Sequence, residues 1–239
     1  MTPMLTDQDK KVFVKEKFAA ISPRYDLLNS VLSFQADRYW RWVTTRELRS
    51  WPTGPVLDLC AGTLPLSLEL TRQASKRQVL AVDFCEDMLR TGLRNLGADR
   101  RRPRLQPVVG DGEEIPARDN AVWGVTVAFG VRNLANTQKG LTEMHRVLKP
   151  GGKLLILEFS RPRNRFFKPF YNFYLNKLLP RLAGLISGDK EAYDYLASSI
   201  AAFYEPEELV TMMQRAGFAK STFRPLTMGI VTLYVGLKG

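Results

Sequence analysis

The stretch Val56-Leu57-Asp58-Leu59-Cys60-Ala61-Gly62-Thr63-Leu64-Pro65 decides the fold. It follows a break, Pro52-Thr53-Gly54-Pro55. Val56 to Leu59 reads as a short buried strand, and after a small-residue loop the chain continues as a helix over Ser67 to Gln73. The unit then recurs. Val79 to Asp83 is a second strand and Asp87 to Leu96 a second helix. Leu105 to Val109 is a third strand, and Val122 to Phe129 a fourth, apolar enough to be buried on both faces. Gln138 to Leu148 forms a helix with Leu141, Met144, Val147 and Leu148 on one face, stopped by Pro150-Gly151-Gly152. Lys153 to Phe159 is a fifth strand. Strands alternating with helices at this spacing mean βαβ units and a doubly wound, mainly parallel α/β sheet. Pro206 to Ala216 is a helix opened by Glu207 and Glu208 and capped by Gly217. Ser221 to Leu226 and Ile230 to Leu237 close the sheet as an antiparallel pair, giving seven strands.

Ahead of this core, residues 5–20 carry Val12, Phe13, Phe18 and Ile21 among charges, the pattern of an amphipathic helix. Tyr25 to Leu48 adds one or two more helices. Residues 160–204 interrupt the alternation with aromatic and basic helical texture: Phe166, Phe167, Phe170, Tyr171, Phe173 and Tyr174 among Arg161, Arg163, Arg165, Lys168, Lys177 and Arg181. At 239 residues, 45% hydrophobic and 25% charged, the chain is neither disordered nor a disulfide-stapled miniprotein. No apolar run reaches the roughly 18 residues of a membrane span. Met1 to Lys17 has no apolar core and is not a signal peptide. Two cysteines, Cys60 and Cys85, fit reduced thiols in a cytoplasmic protein. The net charge of +11 favours an anionic partner, whether nucleic acid, an anionic membrane surface or a phosphorylated ligand. The alternative is solubility alone. Arg100, Arg101, Arg102 and Arg104 read as a solvated loop.

In an open α/β sheet, ligands bind outside the carboxyl ends of the strands. Those ends carry Asp58, Ala61, Gly62 and Thr63 after the first strand, Asp83 after the second, and Asp111-Gly112 after the third. The spacing from Gly62 to Asp83 suits an acid that accepts hydrogen bonds from ribose hydroxyls. An acid at Asp111 can bond an adenine amino group. The G-x-G-x-x-G fingerprint is absent, so a pyrophosphate cradle is not built. A ligand with ribose and adenine but no phosphate, S-adenosylmethionine, fits better. Taken alone, Asp58-x-x-x-Gly62 is any α/β loop; Asp83 and Asp111 in phase with it carry the reading. His145 lies mid-helix and reads as surface or packing. Cys60 and Cys85 read as small buried hydrophobes. No cluster has metal-ligand spacing, and no RNA-recognition motif is visible.

The chain resembles the ubiquinone/menaquinone-biosynthesis C-methyltransferase family nearly end to end. The resemblance rests on Phe18-Ala19-Ala20-Ile21-Ser22-Pro23-Arg24-Tyr25-Asp26-Leu27-Leu28-Asn29, on Val56 to Thr63, and on Phe129-Gly130-Val131-Arg132-Asn133. Arg146 to Gly152, Glu158-Phe159-Ser160, Tyr195 to Ile200 and Leu226 to Gly229 add to it. It implies the class I methyltransferase, Rossmann-like fold, S-adenosylmethionine as cofactor, and contacts to it from Thr63, Asp83, Asp111 and Gly112, with Ala128 close by. It implies one domain: an N-terminal helical cap over 1–50, a cofactor-binding core over 51–159, a helical lid insert over 160–204, and a closing helix and strand pair over 205–239.

The implied chemistry is alkylation of a ring carbon of a demethylated prenyl quinol. Ionising one phenolic hydroxyl pushes charge onto the adjacent carbon, and positioning with exclusion of water supplies much of the acceleration. Arg132 is the candidate stabiliser of the phenolate, with Asn133 as its hydrogen-bonding partner; a structural ion pair is the alternative. Tyr25, Asp26 and Asn29 could close the pocket, or simply cap and pack their helix. The insert reads as a lid whose aromatics line a tunnel for the polyprenyl tail and whose cations touch anionic lipid headgroups, or as a homodimer interface or covered core face. Three departures stand out. Leu64-Pro65 replaces a Gly-Asp, and Leu64 is expected to crowd the methionyl end of the cofactor and to resist a positive φ. Gln35 and Asp37 stand where Gly and His are frequent, and Tyr234 where His is. Other readings are a methyltransferase of another small molecule or of a phospholipid headgroup, and a binding protein that has lost turnover.

Overall fold

Every residue of β1 (Val56–Leu59) is buried, because the strand lies inside the sheet with a neighbour on each side. In a computed structural model that describes residues 6–22, 25–73, 77–174 and 190–239, β1 pairs in parallel with β2 (Val79–Asp83) on one side and β4 (Val122–Ala128) on the other. β3 (Leu105–Val109) extends the sheet beyond β2, and β5 (Leu148–Phe159) extends it beyond β4, both in parallel. β7 (Val231–Lys238) pairs antiparallel with β5, and β6 (Phe218–Leu226) antiparallel with β7. The order is β3-β2-β1-β4-β5-β7-β6. The chain order reverses between β1 and β4, so a crevice opens where their carboxyl-end loops diverge.

Helices cover both faces. On one, Leu141, Met144 and Val147 of α6 (Thr137–Val147) and Leu209 and Met213 of α9 (Pro206–Arg215) pack on Leu57, Leu59, Val125 and Ile156. On the other, Leu70 of α4 (Pro65–Gln73) and Leu89 and Leu96 of α5 (Glu86–Leu96) pack on Val56, Ala81 and Leu155. Each such side chain contributes about 1.5–3 kcal/mol on leaving water.

One boundary differs from the sequence expectation. Pro150-Gly151-Gly152 does not stop α6, which ends at Val147. The three residues form an irregularity inside β5, where Val122 pairs with Leu148 but Gly124 with Lys153. Gly151 takes φ +73° there, a conformation glycine adopts without penalty.

The N-terminal segment forms α1 (Asp7–Ile21), α2 (Tyr25–Leu32) and α3 (Ala36–Arg46). α1 opens with a capping box, in which Thr6 and Asp9 satisfy each other's backbone donors. It is less amphipathic than its sequence suggests: Val14 is its fully buried residue and Val12 is 47% exposed. Polar contacts hold it instead. Lys10 Nζ donates to the carbonyl of Leu134 at 2.5 Å, and Lys11 Nζ bridges Asp111 at 2.6 Å and Glu113 at 2.9 Å. Phe34 and Gln35 both take positive φ, which turns the chain from α2 into α3 and leaves Phe34 80% exposed. The insert supplies α7 (Lys168–Phe173) and α8 (Lys190–Ala202). Pro23, Arg24, Lys177 and Arg181, named above, lie outside the described residues.

Candidate active site

The loop after β1 alternates into the left-handed region at Cys60 (φ +54°), Gly62 (+53°) and Leu64 (+71°). This coiling aims the Gly62 N–H at the next strand, where Asp83 Oδ2 accepts it at 2.8 Å. Asp83 Oδ1 accepts the Cys85 N–H, also at 2.8 Å. Burial pushes the Asp83 carboxyl up to about 6, against the pull of those two donors. An ionised carboxylate has lone pairs beyond the two in use, so two ribose hydroxyls can still be accepted. Asp111, at the end of β3, accepts the Glu113 N–H at 2.9 Å and the Lys11 ammonium. Burial pushes its pKa up, and Lys11 and the Glu113 amide outweigh that, so the carboxyl lies below its ordinary range. Gly112 is bare backbone in the same cleft; a Cβ there would meet Leu134 Cδ2 at 3.0 Å. Gly130 opposes Cys60 across the cleft and has no room for a Cβ, which would lie 2.3 Å from Cys60 Cβ. Asn133 lines this cleft too. Ala128 ends β4 half-buried.

Three expected cofactor residues sit differently. Asp58 is wholly buried, and its oxygens accept from Ser67 Oγ at 2.5 Å and Thr126 Oγ1 at 2.9 Å. It ties β1 to α4 and β4 and presents no atom to the cleft. Burial pushes it up to about 6 as well. Ala61 packs in the core beneath the loop. Thr63 is 3% exposed and its hydroxyl donates to Asp26. Asp26 also accepts from Asn95, at 3.4 Å. Asp26 therefore clasps α2 to the loop and α5.

Leu64 overturns its expectation. It does adopt φ > 0, and its side chain is fully buried among the sheet and α5 rather than in the cleft. Gly92 of α5 makes the room, since a Cβ there would lie 3.0 Å from Leu64 Cγ and 2.6 Å from the Thr63 carbonyl.

A second cavity lies between the strand ends and the N-terminal helices, walled by Tyr25, Asp37, Arg41, Phe129, Arg132 and Phe159. Phe129 (φ +60°) turns out of β4 and stacks on Phe159, with ring centroids 4.5 Å apart. Arg132 lies over the Phe159 ring at 5.5 Å and Arg41 over Phe129 at 5.8 Å. The Arg132 guanidinium pairs with the fully buried Glu158 at 2.9 Å and also donates to the Phe129 carbonyl. So the ion pair exists, yet Arg132 also faces the cavity, and its Nε has no hydrogen-bond partner; nor has Arg41 Nε. Tyr195 donates to Asn133 Oδ1 at 3.1 Å, linking α8 to the loop after β4. Burial raises the Tyr25 and Tyr195 hydroxyls above the ordinary tyrosine value.

The cavity shares walls at Asn29, Ser33, Trp40, Phe159 and Leu196 with an apolar groove of about 490 Å³ between α2 and the insert. Phe34, Phe170, Tyr171 and Ile200 line it. Sequence reasoning missed Arg41, Asp37 as a wall residue, and Glu158 as the partner of Arg132. Trp40 is buried beside them and donates to Thr227 at 2.7 Å. His145 packs edge-on against Phe218, away from both cavities. Burial and neighbouring carboxylates raise the Cys60 thiol well above its ordinary value, so it is no thiolate. Among the described residues no group of His, Cys, Asp or Glu could hold a metal.

This strand order, with acids ending its second and third strands, defines a class I, Rossmann-like methyltransferase fold. The match to solved structures agrees: phosphoethanolamine N-methyltransferase 2 of Haemonchus contortus, in complex with S-adenosyl-L-methionine, superposes with a TM-score of 0.62 at 15% identity over 83% of this chain and 52% of that one. At that identity the likeness shows the fold alone. The family is shown by sequence. Residues 4–238 match the ubiE/COQ5 methyltransferase family. The chain is 41% identical to demethylmenaquinone methyltransferase of Deinococcus radiodurans, covering 99% of this chain and 97% of that one. It is 40% identical to the ubiquinone/menaquinone biosynthesis C-methyltransferase UbiE of Geotalea daltonii, covering 98% and 99%. The chain belongs to the ubiE/COQ5 methyltransferase family and is a methyltransferase.

Proposed function

We propose that the chain methylates a ring carbon of a demethylated prenyl quinol, with S-adenosylmethionine in the cleft at the ends of β1, β2 and β3. The observation that carries the substrate class is a cation-bearing aromatic cavity lying against an apolar groove, with walls in common. A flat polar head with a long hydrocarbon tail matches both parts. When bound, the cofactor supplies a methyl group activated on a sulfonium. Asp83 accepts the ribose hydroxyls, Asp111 the adenine amino group, and Gly112 leaves room beside the ring. Lys11 crosses the cleft to Asp111, so a ligand that takes this acceptor displaces the lysine, and α1 acts as a cover. Arg132 faces the phenolate oxygen, and Asn133 with Tyr195 borders it. Tyr25 closes the cavity from α2, and the Phe129–Phe159 pair excludes water. The chain works as one unit, with 51–159 holding the cofactor and 1–50 and 160–204 closing over the quinol.

The groove mouth is rimmed by the exposed Phe34 and Phe170, and the same segment exposes Phe166 and Phe173 among Arg165 and Lys168. With a net charge of +11, this face suits an anionic membrane surface from which the tail is drawn. No helix of the described residues is long and apolar enough to cross a membrane. Sedimentation with phosphatidylglycerol vesicles, against neutral vesicles, tests the contact, and self-association without lipid would assign the face to a homodimer. The activity is tested by methyl transfer to short-chain demethylmenaquinol, read by mass spectrometry. Cofactor binding without methylation of any demethylated quinol would refute it, and methylation of a phospholipid headgroup instead would redirect it.

A further inference from the structure

We propose that Asp37 is the proton acceptor of the reaction, taking the phenolic proton of the quinol in the cavity and returning it to the product. The inference rests on the quinol reading above and assigns the base that reading leaves open.

Among the residues that wall the inner cavity, Asp37 is the one carboxylate. The other walls carry aromatic or aliphatic groups, neutral hydroxyls and amides, and the guanidiniums of Arg41 and Arg132. Glu158 is buried behind Arg132 and is not a wall residue. The hydroxyls of Tyr25 and Tyr195 are held protonated by burial and make poor acceptors. Asp37 is itself well fixed. It accepts from Ser33 Oγ at 3.0 Å and pairs with Arg41 one helical turn away. Both partners are donors, and the carboxylate keeps lone pairs for a further donor.

Its position has a second property. Asp37 and Arg41 also wall a neighbouring polar crevice, open to solvent, where Asp26, Arg38, Glu69, Arg72 and Arg101 lie. The carboxylate thus borders both the cavity and the crevice. The charged or titratable groups facing it are Arg41 on its own helix, Tyr25 from α2, Arg132 from the loop after β4, Tyr195 from α8, and those of the crevice.

The step balances as follows. As the ring carbon beside the hydroxyl bonds the sulfonium methyl, the carbon–sulfur pair stays on sulfur. The O–H bond breaks toward Asp37 and its electron pair enters the ring. The ring C–H proton then leaves to water and aromaticity returns as a phenolate, which takes its proton back from Asp37. One proton is released in all. A carboxylate is a weak base toward a resting phenol, whose pKa is near that of tyrosine, about 10. The proton becomes strongly acidic only as the carbon–carbon bond forms and the oxygen approaches a protonated ketone. A weak base then suffices, and Arg41 and Arg132 supply the positive field that favours ionisation.

The test is the pH–rate profile of Asp37→Asn against the parent, with cofactor binding by calorimetry and melting temperature measured beside it. Asn keeps the shape and one acceptor but cannot take a proton. The expected loss at pH 7 is about a hundredfold or more in kcat. It should shrink about tenfold per pH unit as the quinol ionises on its own, toward a phenolic pKa of about 10. Cofactor affinity should stay unchanged. A profile parallel to the parent's would overturn the proposal. Asp37→His keeps the fold question separate: its rate should gain an acid limb near the histidine pKa of about 6.5, and absence of that limb in the folded variant would also overturn it. If the parent methylates no quinol, the functional reading fails; if it does and these variants keep its profile, only the role of Asp37 fails.

Discussion

Acidifying the protein from pH 7.5 to 5 should move stability and cofactor affinity in opposite directions through one residue. Asp83 is 6% exposed, and burial lifts it to about 6 from an ordinary 3.8. A carboxyl raised in the folded state binds protons more readily folded than unfolded. Its contribution to stability is therefore fully present below the unfolded value and is lost as pH rises through about 6. The full shift corresponds to roughly 3 kcal/mol at one unit per 1.36 kcal/mol. About 1–2 kcal/mol of it falls between pH 7.5 and 5, because near pH 5 the folded group is about nine-tenths protonated. The ligand-free protein should thus gain that amount from Asp83 on acidification. Cofactor binding needs the ionised carboxylate as acceptor, so the dissociation constant should rise about tenfold over the same interval. His145, lowered by burial, opposes the stability gain, so the measurement is a difference. Urea unfolding of the parent and Asp83→Asn at pH 5, 6 and 7.5, with calorimetric cofactor titration at each, isolates the residue. The variant should bind weakly at every pH. If parent and variant stabilities run parallel in pH, or parent affinity is flat, Asp83 is not the raised carboxyl that receives the ribose.

Arg132→Ala leaves Glu158 fully buried without its cation, so a loss of about 3–5 kcal/mol is expected in urea unfolding; Arg132→Met with Glu158→Gln should recover much of it, and an unchanged melting temperature in Arg132→Ala would refute the structural share of its role. Leu64→Gly should lose stability, since about 2–5 kcal/mol of buried leucine exceeds the ~1–2 kcal/mol released at its left-handed φ, while cofactor affinity stays constant; tighter binding would restore the crowding reading. Phe170→Glu should raise KM about tenfold or more for a long-tailed quinol, from losing roughly 1.5–3 kcal/mol of aromatic burial, and leave a tailless substrate unaffected; equal effects on both would disconnect the groove from the tail.

What the sequence discloses and what it hides divide along the distance over which each feature is determined. β1, β2 and β4 are legible because a strand buried on both faces must be a continuous apolar run, and the acids that end such runs follow by position alone. Asp83 was readable for that reason. Asp58, on the neighbouring strand β1, has the same chemistry, yet Ser67 and Thr126 consume its oxygens. Which of two aspartates faces a crevice depends on strand register, and a shift of one residue sends a side chain to the other face. Pro150-Gly151-Gly152 has the composition of a helix stop. Pairing with β4 recruits it into a strand with a bulge, because neighbouring backbone donors and acceptors outweigh a local turn preference.

Leu64 shows the same competition in one residue. A β-carbon at φ +71° costs energy locally, and the sequence around it gives only that local term. The compensating term sits 28 positions later, where Gly92 leaves a hollow in α5 that the leucine fills. The inner cavity is hidden for the same cause on a larger scale. Asp37 and Arg41 lie four residues apart, and nothing local to them shows the cavity; α3 is laid against Phe129 and the strand ends, which buries both to under a tenth exposed. Burial of a paired charge brings little net stability. The proposed proton transfer gives this buried pair, placed beside both the cavity and the solvent crevice, a use that its stability contribution does not supply.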